Sequence, residues 1–245
     1  MERDLLTSWL DDFLKVAEVS DLSLNGLQVE GRREVNKVGA AVDASLKTFE
    51  DAASQGVDFL IVHHGLFWGK PEPVVGPLAK RLSLLLSQGI NLYAAHLPLD
   101  LHPEVGNNAV IAKHLGLVET EPFADIGVKG KFPTATRLHD VADLLGQLTG
   151  MQTLVHQGGS DLVKTVAVVS GAGSSYIPQA AKEGLDLLIT GEPKHQHFHL
   201  PFEWGINVIY AGHYDTEVFG VKALAERIAA EFGLPWVFLD HPTGL

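Results

Sequence analysis

The sequence contains no cysteine. Disulfides and thiolate metal sites are therefore excluded, and any bound metal must use His, Asp, Glu or backbone oxygen. Positive charge is also scarce. Lys and Arg total 18 against 30 Asp and Glu, for a formal charge of −12 with histidine neutral. That balance argues against non-specific nucleic-acid binding, leaving only a local basic patch for such a role. Long apolar runs are missing as well. No stretch approaches the roughly 18 residues needed to span a bilayer. The start, MERDLLTSWLDDFLKV, carries acids every few residues and lacks the basic start and apolar centre of a signal peptide. A soluble cytoplasmic chain is the expectation.

What remains is an ordinary globular composition. Of 245 residues, 46% are hydrophobic and 20% charged, enough for one large domain or two smaller lobes with a sizeable core. The oddity is twelve histidines, several of them at the ends of apolar runs.

Leu5, Leu6, Trp9, Leu10, Phe13 and Leu14 space along one face of a helix over 4–17. SLNGLQVEG reads as a loop or short extended piece. The segments NKVGAAV, DFLIVHHG and INLYAAH read as strands, the last two as apolar runs covered on both faces. SLKTFEDAASQG, PLAKRLSLLLSQG and NNAVIAKHLGL read as helices. Strand and helix alternate, which predicts a mostly parallel α/β sheet. Residues 118–162 break the rhythm with a Gly- and Pro-rich loop, a helix HDVADLLGQLTG and a strand QTLVHQ. The expected organisation is a first lobe at 1–117, a small insert at 118–162 and a second lobe at 163–245.

The lobes repeat one another. KVGAAVDASLKTFEDAASQGVDFLIVHH matches KTVAVVSGAGSSYIPQAAKEGLDLLITGE at an offset of 128, placing Val38 on Val166 and Asp58 on Asp186. Gly89 falls on Gly205 at 116, and after one added residue His96 falls on His213 and Asp100 on Glu217. Similar α/β units explain the apolar matches alone. The two H-x-x-x-acid pairs, in a register that continues to Gly116–Gly233 and Leu117–Leu234, favour duplication. His63-His64 corresponds to Gly191-Glu192, so a centre built there is asymmetric.

Taken singly, each histidine or pair could be a hydrogen-bonded structural group. Adjacent strand residues point to opposite faces, so His63 and His64 converge only if the chain turns at Gly65. Together, three strand ends supplying imidazoles and carboxylates point to a ligand crevice. Such a cluster is costly to bury without a cation. Imidazole and carboxylate without thiolate suit Zn, Fe, Mn, Co or Ni, and five or six ligands suit two metals bridged by a carboxylate and a water. The alternating His195, His197 and His199 read as a polar segment near the site. His102, His114, His139, His156 and His241 read as surface or structural. GAGS at 171–174 is either a tight strand–helix turn or an anion seat; it lacks the full G-x-G-x-x-G and the P-loop lysine.

NGLQVEG, HHG, YAAHLPLD, PEVGNN, VSGAGS, LLITGE and AGHYDTE, spread over almost the whole chain, resemble the Nif-three-like (YbgI-type) dinuclear metal-centre family, also labelled GTP cyclohydrolase 1 type 2 homologues. Gly65 stands where that family often has proline. The resemblance implies two similar α/β lobes, two divalent metal ions and a homohexamer. It carries the ligand roles onto His63, His64, Asp100, His213 and Glu217, with His96 beside them. The first functional expectation is a metal-dependent hydrolase that activates a bridging water, with His96 or Glu192 shuttling protons and a nucleotide or other small molecule as substrate. The alternative is a non-enzymatic metal-holding or interaction scaffold.

Overall fold

A computed structural model describes residues 1–245. The chain forms two compact units. Met1–Val105 and Gly220–His241 make the first, Gly106–Phe219 and Pro242–Leu245 the second.

The first unit contains α1 (Arg3–Phe13), β1 (Gly26–Val29), β2 (Val38–Asp43), α2 (Leu46–Ser54), β3 (Phe59–His64), α3 (Gly76–Gln88), β4 (Asn91–Ala94) and the one-turn α4 (Leu97–Asp100). The second contains α5 (Asn107–His114), β5 (Val118–Phe123), β6 (Gly127–Arg137), α6 (Leu138–Thr149), β7 (Leu154–Gln157), β8 (Leu162–Val169), α7 (Ile177–Lys182), β9 (Leu187–Thr190), α8 (Leu200–Trp204) and β10 (Asn207–Tyr210). Helix α9 (His213–Phe232) begins in the second unit and ends in the first, which β11 (Trp236–Phe238) completes. No helix is long and apolar enough to cross a membrane.

The first sheet runs β1-β4-β3-β2-β11, parallel except for β1. Strand alternation sends Phe59 and Ile61 into a core with Leu6 and Leu10 of α1 and Leu224 and Ile228 of α9. Leu60 and Val62 go into the opposite core with Phe49 of α2 and Leu85 of α3. Both faces are covered, which is why FLIV reads as an unbroken apolar run. Ser45 caps α2 by accepting the Thr48 amide at 3.0 Å, and Gly89, at φ 67°, stops α3 in the left-handed region.

The second sheet runs β5-β6-β8-β9-β10-β7. Its central β8, β9 and β10 are parallel, as β2, β3 and β4 are in the first sheet. The flanking strands are antiparallel, so this sheet is mixed rather than mostly parallel.

The segment 118–162 is not a separate insert. Its first part is the β5–β6 hairpin, where a loop was expected. The strand signal fails there because most of β5 is exposed and alternates nothing apolar. Backbone pairing and cross-strand ion pairs of Lys129 with Glu121 and Lys131 with Glu119 hold the hairpin instead. The remainder, α6 and β7, is the counterpart of α1 and β1. The offset of 128 carries Gly26–Val29 onto Leu154–Gln157, and each strand lies antiparallel at the edge of its central three.

A buried asparagine confirms the equivalence. Asn91 accepts from the Gly31 amide at 2.7 Å and donates to Arg32 O at 2.9 Å. Asn207 accepts from the Gly159 amide at 3.0 Å and donates to Ser160 O at 2.7 Å. A Cβ on Gly31 or Gly159 would collide with the carbonyl of Gly89 or Gly205 respectively. The repeated Gly-Ile-Asn is thus a device that fastens the edge segment to the sheet.

Candidate metal centre

In the first unit the candidate residues gather where β3 and β4 end. His63 is fully buried. Its Nδ1 lies 2.9 Å from the Ala95 carbonyl oxygen. A carbonyl only accepts, so Nδ1 carries the proton and Nε2 keeps its lone pair. Nε2 is 3.6 Å from Asp100 Oδ2. His64 places Nδ1 2.8 Å from Asp43 Oδ1, at the end of the neighbouring β2. The chain turns at Gly65, and the two rings converge with centroids 4.8 Å apart. A Cβ at residue 65 would press on the Ala94 methyl and the Gln28 amide, so close packing demands glycine there.

His96 is held most elaborately. It follows β4 and opens α4. Its amide donates to Asn25 Oδ1 at 2.7 Å, and its Nδ1 is 2.9 Å from Asp21 Oδ2. Asp21 also accepts from the Asn25 side chain and from the amides of Ser23 and Leu97. Burial alone would raise the Asp21 carboxyl. The hydrogen bonds of Asn25, Ser23 and Leu97, together with the charge of His96, outweigh it and hold the carboxyl below its usual range. Burial and the neighbouring His63 keep His96 below the usual imidazole value. Ligand atoms of His63, His64 and His96 all lie within 4.8 Å of one another. Asp100, 4% exposed, follows His96 by one helical turn.

In the second unit the equivalent strand ends carry Glu192 and His213. His213 opens α9, and Glu217 one turn later puts Oε1 3.2 Å from its Nε2. Glu192 Oε2 lies 3.3 Å from its Nδ1. The hydrogen bond to Glu217, reinforced by both carboxylates, raises His213 to about 9 despite partial burial. Gly171, at φ +61°, lies so near that a Cβ would strike Glu217 Oε1. Its amide donates to Thr216 Oγ1 at 2.9 Å, and the Gly173 amide donates to Thr190 Oγ1 at 2.8 Å. Both glycine amides of GAGS are therefore taken up by the fold.

The other histidines make contacts of their own. His195–His197 form a 3₁₀ turn rather than a strand, so the three alternating rings share no face. His197 Nδ1 lies 3.0 Å from Ser174 Oγ. His156 is structural but not on the surface: it is buried against Tyr210, Phe198 and Phe202. Asp21 and Asp43 lie outside the sequence motifs. Only tertiary contact reveals them.

This donor set fits a divalent cation. Three imidazoles of the first unit each engage Nδ1 with an oxygen, leaving Nε2 as the second ring nitrogen, which is how metal-ligating histidines are oriented. His213 and Glu217 place an imidazole nitrogen and a carboxylate oxygen side by side. Cation binding at His213 would take the place of its proton.

Comparisons with known proteins agree with the motifs. The model of the Duf34/NIF3 (NGG1p interacting factor 3) family matches residues 1–243. A Deinococcus radiodurans protein named GTP cyclohydrolase 1 type 2 homolog is 52% identical over 248 residues, covering 99% of this chain and 94% of its own. A Pyrococcus horikoshii protein of the same name is 47% identical over the full length of both. Among solved structures, TTHA1606 from Thermus thermophilus superposes with a TM-score of 0.95 at 61% identity, covering all of both chains. Reduced HcgD from Methanocaldococcus jannaschii does so with 0.88 at 29% identity, covering 98% of each.

Proposed function

The chain belongs to the Duf34/NIF3 family, and on that premise we propose that it is a hydrolase of nucleotides or similar small molecules that works with two divalent cations. His63, His64, Asp100, His213 and Glu217 are the ligands. The observation that carries the reading is the common orientation of His63, His64 and His96, each with Nδ1 engaged and Nε2 presented. A bound pair of cations supplies Lewis acidity and lowers the pKa of water towards neutrality.

The chain's own residues then manage the protons. His96, with Nδ1 turned to Asp21, offers Nε2 as the base towards an attacking water. Glu192, against His213, returns a proton to the leaving atom. The relatives' name makes GTP the first substrate to test. Addition of water at C8 with cleavage of the bond to the ring nitrogen opens the imidazole ring and leaves a formamide. Assembly into a homohexamer belongs to the same reading.

The test is a turnover screen of the metal-loaded protein against GTP, other nucleotides, phosphoesters and amides, beside the His63→Ala/His64→Ala double variant. Turnover that falls at least about 100-fold in the variant is expected, as are losses of about that size for His96→Ala and Glu192→Gln. No turnover of any class, or equal turnover by the double variant, would contradict the proposal and leave a metal-holding scaffold.

A further inference from the structure

Trp68 lies beside the imidazole cluster of the first unit with 39% of its surface exposed. The exposure is not a search for a polar partner. Its indole N–H already donates to the Gly65 carbonyl at 3.0 Å, which fixes the plane of the ring. A backbone bridge to Ser23 and the bond from the Leu24 amide to Phe67 O anchor the loop that carries it. Its ring meets His96 edge to face, with centroids 5.0 Å apart at 72°, and its centroid lies 6.1 Å from that of His64. Leu22 and Leu24, largely exposed, extend the apolar surface.

A flat, rigid, apolar ring next to presented imidazole nitrogens is suited to one chemical class. A planar heterocycle gains by stacking on an indole, and the gain is tolerant of the heterocycle's identity because every such ring has a π-face. A free phosphate gains nothing there, and ribose, lacking a π-face, gains less than a planar heterocycle. The acidic chain disfavours a polyanion such as a nucleic acid, which leaves a mononucleotide or free base.

We propose, relying on the assignment of these histidines to the reaction site, that Trp68 is the stacking platform that selects a planar nitrogen heterocycle of purine size as ligand. Leu22 and Leu24 border the bound ring, and its reacting edge lies towards His64 and His96.

Equilibrium binding to the full-length protein tests this without turnover, using guanosine 5′-monophosphate and ribose 5-phosphate as probes, with metal content and mass in solution measured for each variant. Trp68→Ala is expected to weaken guanosine monophosphate binding at least about five-fold. Trp68→Phe, which keeps a ring, stays within about three-fold. Ribose 5-phosphate binds all three proteins alike, and metal content and mass are unchanged. The nucleotide also quenches indole fluorescence in the wild type, and that quench disappears in Trp68→Phe while binding persists, so the result does not depend on the alanine variant folding. The proposal is overturned if the wild type does not bind the nucleotide, if Trp68→Ala binds it normally, if both probes weaken equally, or if the alanine variant changes mass, which would make the surface a self-association patch. Loss of the hydrolase reading would appear separately, as absent turnover with stacking-dependent binding intact.

Discussion

Each imidazole of the first unit's cluster owes its orientation to one partner group: the Ala95 carbonyl for His63, Asp43 for His64 and Asp21 for His96. The two carboxylates can be removed without touching a ligand. Asp43→Ala should free the His64 ring to rotate and weaken cation affinity about 10- to 100-fold, the usual cost of losing a ligand's outer partner, whereas Asp21→Ala should free His96 and lower turnover with cation affinity kept. Chelator competition and turnover of the purified variants measure this, and unchanged affinity in Asp43→Ala or unchanged turnover in Asp21→Ala would deny that carboxylate its role. Elsewhere, burial lowers the His156 pKa. The folded chain keeps this ring neutral where the unfolded chain, with an ordinary value of about 6.5, takes up a proton. The unfolded state then binds more protons, so this residue's contribution to stability is lost as pH falls below about 6.5. His156→Phe should therefore show a smaller drop in melting temperature between about pH 7 and 5.5 than the wild type; an equal drop would contradict it.

Among the elements, the Gly-Ile-Asn repeat sets the strongest expectation. Asn91 and Asn207 are fully buried and satisfy the backbone of the segments that follow β1 and β7. Replacing either by alanine leaves buried amide and carbonyl groups unpaired and should cost about 2 kcal/mol or more, read as a shift in urea midpoint. Similar losses at both positions are expected, and a loss at only one would mean that the two edges are not equivalent. The central strands were legible in the sequence because burial on both faces leaves unbroken apolar runs. The H-x-x-x-acid spacing was legible because it is one helical turn. The β5–β6 hairpin was not, since its strands are held by backbone pairing and ion pairs, which leave no apolar period. The equivalence of β1 and β7 was hidden because little beyond glycine and turn geometry survives between them. Asp21 and Asp43 were hidden for a different reason. They lie 75 and 21 residues from the histidines they orient, and nothing local marks such a pairing.

For the whole molecule, the proposal is that His63, His64 and Asp100 in one repeat, and His213 and Glu217 in the other, are cation ligands. The absence of cysteine already confines metal ligands to nitrogen and oxygen. Hexamer formation is checked by native mass spectrometry. Metal content per chain tests the central claim most directly, by elemental analysis of protein reconstituted with divalent cations and freed of excess. The account predicts about two equivalents in the wild type, with a marked loss both in His63→Ala/His64→Ala and in His213→Ala/Glu217→Gln. No bound metal in the wild type, or full retention by either double variant, would contradict it.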